Sequence, residues 1–179
     1  MLRRRYRPIS LILNIMNSSI ARTETFAGAI FRPLDISRSI GLVIAFSLLT
    51  ALAAQITIPL PFTPVPITGQ TFAVLLTGAL LGSRLGAITM LVYLLEGASG
   101  LPFFRGGNGG PAYLLLTPTA GYLLSYPVAA FVTGWLAERG WDRRFLTAAA
   151  AMALGSLVIL ATGWSWLAVV TRNAQYAFF

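Results

Sequence analysis

The sequence predicts an all-α, polytopic membrane helix bundle, on three observations. Of its 179 residues, 56% are hydrophobic and 10% charged, with a mean hydropathy of +0.76, too little polar material to cover a soluble globule of this size. Residues 39–83, 106–137 and 145–171 carry no charged side chain, whereas about 20 apolar residues suffice to cross the hydrocarbon. The hydrophobicity is also continuous rather than alternating in steps of two, which argues against a barrel of strands around a polar lumen.

The chain starts "MLRRRYRPISLILNIMNSS", which imitates a signal peptide, but its apolar run from Ile9 to Met16 is short and broken by Asn14. Residues 1–36 read as a cytoplasmic or interfacial extension, with 1–15 a mis-assigned start ahead of Met16, and residues 37–179 as the transmembrane domain. The first span follows "DIS", where Asp35 or Ser37 offers an N-cap, and runs through "SIGLVIAFSLLTALAAQ" to the prolines. Small residues recur along it at four-residue spacing, Gly41 with Ala45, Ser47 with Ala51, and Thr50 with Ala54, a pattern that lets helices approach closely in lipid.

The second span lies within 68–82 and is short for a full crossing. The third covers 85–100 and contains Glu96, the one acid inside an apolar span, expected near the outer end in a structural role such as pairing with Arg105. The fourth starts at Thr117-Pro118, a cap followed by proline at the first helical position, and holds Pro127, which should bend it. The fifth is 145–170, with Trp164 and Trp166 as interfacial anchors.

All thirteen basic residues are arginine. With a cytoplasmic N-terminus, eleven of them (3, 4, 5, 7, 22, 32, 38, 84, 139, 143 and 144) lie inside, and only Arg105 and Arg172 lie outside. That arrangement reads as an orientation signal rather than a nucleic-acid footprint. The absence of cysteine and histidine excludes disulfides, thiol nucleophiles, the usual zinc ligand sets and a histidine base. Without lysine there is no Walker-type phosphate loop.

With this topology the two unusual loops share the outer face. In "IPLPFTPVPITGQ", Pro59, Pro61, Pro64 and Pro66 form a stiff ladder. Proline has no amide hydrogen to leave unsatisfied, so such a segment can act as a preformed lid near hydrocarbon depth. A plain helix stop is the alternative, though one proline would serve for that. In "LPFFRGGNGGPAYLLL", glycines surround Arg105 and Asn108. A guanidinium suits a carboxylate, and a carboxamide suits a urea or amide edge; an interfacial arginine beside a turn asparagine is the equally weighted alternative. Gln55, Gln70, Tyr93, Thr117, Tyr122 and Tyr126 add polar tips near the same level.

"PLPFTPVPITGQTFAVLLTGALLGSRLGAITMLVYLLEGASGLPFF", "RGGNGGPA" and "LTPTAGYLLSYPVAAFVTGWL" together resemble the BioY family, the biotin-binding S components of energy-coupling factor transporters. The resemblance implies a six-helix S-component fold, of which five spans are visible, in a bacterial cell membrane. It implies capture of biotin at the outer face, no enzymatic activity of the chain itself and no cofactor. Import would be driven by a transmembrane T component and cytoplasmic ATPases. The residues themselves give the candidate substrate site as Arg105, Asn108, Gln70, Tyr93 and Tyr122 under the lid prolines, with the choice between Arg105 and Asn108 for ligand contact left open. The resemblance implies that the loop between the first two helices covers the ligand and that Ser47, Ala51 and Ala54 contact the T component. The family's last helix has no counterpart before Phe179, so a C-terminally truncated chain with weak or absent biotin binding is expected. The alternatives are an S component for another small vitamin, or a non-binding membrane scaffold.

Overall fold

The computed structural model describes residues 36–61, 63 and 65–171. The N-terminal extension, Pro64 and Arg172 therefore lie outside the described residues. Among the described residues six α-helices follow one another: α1 (Ile36–Ala53), α2 (Gln70–Leu81), α3 (Ser83–Ala98), α4 (Pro111–Leu116), α5 (Ala120–Ala137) and α6 (Phe145–Thr171). Between α1 and α2 the proline segment forms a small antiparallel hairpin, β1 (Thr57–Ile58) paired with β2 (Ile67–Thr68). Short 3-10 turns occupy Arg105–Gly107 and Trp141–Arg143.

Among the described residues three helices, α1, α5 and α6, are long and apolar enough to cross a membrane. The other two expected spans are shorter: the 12 residues of α2 and 16 of α3 extend about 18 and 24 Å at 1.5 Å per residue. α2 and α3 are joined by Gly82 alone, at φ 85°, a conformation that L side chains rarely adopt. The join falls two residues earlier than the sequence suggests, so Arg84 sits inside the first turn of α3. Glu138, at the end of α5, fixes it: its carboxylate accepts the Ser83 amide (2.7 Å) and the Ser83 hydroxyl (2.9 Å), a favourable place for negative charge at a helix N-terminus.

α5 is the central helix, packed on α2, α3 and α6. Its approach to α2 and α3 depends on glycine: a Cβ on Gly78 would strike the backbone of Ala130, and one on Gly134 the backbone of Gly78, Gly82 and Ser83. Buried threonines on these helices return their hydroxyls to their own helix, Thr77 to the Ala73 carbonyl (2.7 Å) and Thr133 to Ala129 (3.0 Å), and no buried side-chain polar atom among the described residues lacks a hydrogen-bond partner. The core gathers Val74, Leu75, Met90, Tyr93, Phe104, Leu123, Tyr126 and Ile159.

Three sequence expectations need correction. Thr117 does not open the fourth span; it closes α4, and α5 begins at Ala120. The Thr117 hydroxyl turns back to the Tyr113 carbonyl (2.7 Å), and its own carbonyl accepts Trp166 Nε1 (3.0 Å), so Trp166 also ties α6 to the end of α4. Ser47, Ala51 and Ala54 are buried within the chain, where α1 packs on α3 and α2. The Ser47 hydroxyl donates to Glu96 of α3. At these three positions the small side chains serve packing within the chain, which leaves them little surface for a partner helix. Glu96 meets that serine, and no ion pair with Arg105 is found among the described residues.

Candidate functional site

The hairpin and the glycine-rich segment come together at one end of the bundle over a cavity of about 420 Å³, within the size range of small-molecule sites. The hairpin supplies one wall with Leu60, Thr63, Val65, Pro66, Ile67 and Thr68, and α2 adds Gln70 and Thr71 from its first turn. α5 contributes Tyr122, Leu123 and Tyr126 from one face, preceded by Thr119; α6 contributes Ser156, Ile159 and Leu160. Arg105 and Tyr113 complete the lining. Arg105 is the one charged residue among these, so the described lining is amphipathic with a single cationic point.

Arg105 is held by its neighbours in the chain. Phe104 is fully buried, edge-on to Tyr93 (5.8 Å between centroids) and stacked on Tyr113 (5.4 Å), and its ring lies where a side chain on Gly97 would be. The chain then turns through Gly106 and Gly107 at φ 67° and 72°, and the Phe104 amide donates to the Asn108 carbonyl (2.9 Å). Asn108 is exposed and does not line the cavity; its side chain donates to the Arg105 carbonyl (2.7 Å). Of the two candidates for ligand contact in this loop, the structure brings Arg105 to the cavity and gives Asn108 the turn-shaping role that asparagine side chains often take.

Gln70 is buried at the cavity wall, and its carboxamide is mostly engaged. Its Nε2 donates to the Tyr93 hydroxyl (2.6 Å), and its Oε1 accepts from Thr68 Oγ1 (3.2 Å) and, at longer range, from the Tyr126 hydroxyl (3.4 Å). One N–H remains for a ligand. Tyr93 is fully buried behind Gln70, outside the lining, and donates to the Phe103 carbonyl (3.0 Å). Tyr122 does reach the cavity, its ring packed against the backbone of Gly163. Of the described lid prolines, Pro66 lines the cavity, whereas Pro59 and Pro61 are exposed on the outside of the hairpin.

The sequence reading missed Tyr113, Thr119, Ser156, Ile159 and Leu160. A signal existed for the last three: Ser156 is a polar residue in an uncharged run, and positions 156, 159 and 160 share one helix face. Nothing in the sequence marked Tyr113, because α4 was read as loop.

Fold and site thus define a multi-pass membrane protein with a small-molecule cavity at one end of its bundle. Residues 19–179 match the BioY family, and the chain belongs to it. It is 42% identical over 132 residues to a "Probable biotin transporter BioY" of Pyrococcus horikoshii, covering 74% of this chain and 75% of the relative. It is 42% identical over 131 residues to a "Biotin transporter BioY" of Rhizobium etli, covering 69% and 70%. A crystal structure of the S-component for biotin from an ECF-type ABC transporter superposes with a TM-score of 0.72 at 24% identity, covering 79% of this chain and 77% of that one. That likeness establishes the shared fold.

Proposed function

We propose that this chain is the substrate-binding component of a biotin uptake transporter and holds biotin in the cavity beneath the hairpin. The observation that carries this reading is the lining. It offers one guanidinium, Arg105, among tyrosine, threonine and aliphatic side chains, which matches a neutral bicycle on an apolar chain that ends in one carboxylate. Arg105 takes the carboxylate. Gln70, with its remaining N–H, and the hydroxyls of Tyr122 and Ser156 surround the ring system. The hairpin is the cover, and its short strands and prolines pre-order it, so little entropy is lost on closure. The chain performs no reaction itself; a transmembrane T component and cytoplasmic ATP-hydrolysing subunits drive import across the cell membrane.

The test is labelled-biotin binding by the full chain in nanodiscs, with thiamin and riboflavin as competitors. Saturable binding displaced by biotin alone is expected. Arg105→Gln should weaken it roughly 10- to 150-fold, the worth of a hydrogen bond to a charged group. A folded chain that binds no biotin, or binds another vitamin in preference, overturns the assignment.

A further inference from the structure

We propose that Gln55 is a positioning residue for ligand capture, its side-chain carboxamide joining the base of the lid hairpin to the turn that carries Arg105. The proposal rests on the biotin reading above. Gln55 lies past the end of α1 and two residues before β1. Its Nε2 donates to the Phe104 carbonyl (3.3 Å) and to the Ala51 carbonyl (3.1 Å), and its Oε1 accepts the Gly107 amide (3.1 Å). The residues it grips bracket Arg105 on both sides.

The turn needs such a grip. Gly106 and Gly107 are exposed, both at positive φ, and a Cβ on Gly107 would meet nothing within 4 Å. Packing therefore does not hold this part of the chain, and glycine is the residue with the most backbone freedom to lose. Hydrogen bonds do the holding: the turn's own backbone bonds, Gly107 amide to Phe104 carbonyl (3.2 Å) and Phe104 amide to Asn108 carbonyl (2.9 Å), are joined by Asn108 on the Arg105 carbonyl (2.7 Å) and by Gln55 on the flanking groups.

The far end of the hairpin is tied to the same segment. Thr68 of β2 donates to Gln70, Gln70 to Tyr93, and Tyr93 to the Phe103 carbonyl, at 3.2, 2.6 and 3.0 Å. Both feet of the lid are thereby fastened to residues 103–107, and Arg105 is registered against the cover as well as against the bundle. Gln55 acts through Arg105 without touching the ligand.

The experiment compares Gln55→Met with the parent chain in nanodiscs, using biotin and its uncharged primary amide, alone and on an Arg105→Gln background. Loss of the two bonds to the turn should speed biotin dissociation roughly tenfold. The amide should change by less than about twofold, and Gln55→Met should add less than about twofold once Arg105 is gone. Amide exchange across 104–108 should accelerate in the variant. Equal losses for biotin and its amide, additive effects with Arg105→Gln, or unchanged exchange at 104–108 would overturn the proposal. Should the parent chain bind no biotin, the transport reading falls, and the exchange measurement alone decides whether Gln55 holds the turn.

Discussion

Replacing Tyr93 by phenylalanine tests whether the cavity wall is built from a continuous polar relay. The ring itself is retained, with its contacts to Phe103, Phe104 and Tyr126, so any loss belongs to the hydroxyl. That hydroxyl accepts from Gln70 at 2.6 Å and donates to the Phe103 carbonyl at 3.0 Å. Each such bond contributes about 0.5–1.5 kcal/mol net, and a partner left buried and unpaired costs about 1–3 kcal/mol. Gln70 borders the cavity and can turn its freed N–H toward solvent there, so the Phe103 carbonyl bears most of the penalty. The sum is about 2–4 kcal/mol of stability. Tyr126→Phe is the internal comparison, since its hydroxyl donates over 3.4 Å, near the limit of a useful bond, and should cost under about 1 kcal/mol. Reversible unfolding of purified protein in mixed micelles, read by tryptophan fluorescence, measures both. Equal costs for the two variants, or a Tyr93→Phe cost below about 0.5 kcal/mol, would refute the relay.

Three further outcomes follow from packing. Ser156→Phe should fill the cavity from α6 and abolish measurable biotin binding while leaving the unfolding midpoint unchanged or raised, because the side chain enters empty space; a variant that still binds within threefold of the parent, about 0.7 kcal/mol, would remove α6 from the site. Gly134→Val should destabilise by about 1–3 kcal/mol or prevent folding, since its added atoms meet the backbone of α2 and α3 and no side chain can yield. Gly41→Ala, with nothing within 4 Å of the new Cβ, should be neutral in the same thermal assay.

Why part of this was legible in the sequence and part was not comes down to the range of the forces involved. Helical spans are dictated locally, by uncharged length, and were read correctly within a few residues. Arg105 stood out as a lone cation between apolar segments, although an interfacial anchor has the same sequence signature. The face of α1 misled for a physical reason: small residues at four-residue spacing promote close packing whatever the partner, and sequence does not say whether the neighbour belongs to the same chain. Thr117-Pro118 likewise has the composition of a helix start, yet the preceding "PAYLLL" already forms a helix that Thr117 ends. The division of labour between Arg105 and Asn108 was undecidable from order alone, since it depends on which way two glycines turn the chain.

The helices differ in how far they run beyond the cavity. α6 continues eleven residues past Leu160, the last of its cavity-facing residues, about 16 Å of further rise, whereas α2 begins at the cavity wall with Gln70. The last turns of α6 thus carry an apolar surface, with Val169 and Val170 exposed, beyond the level of the cavity.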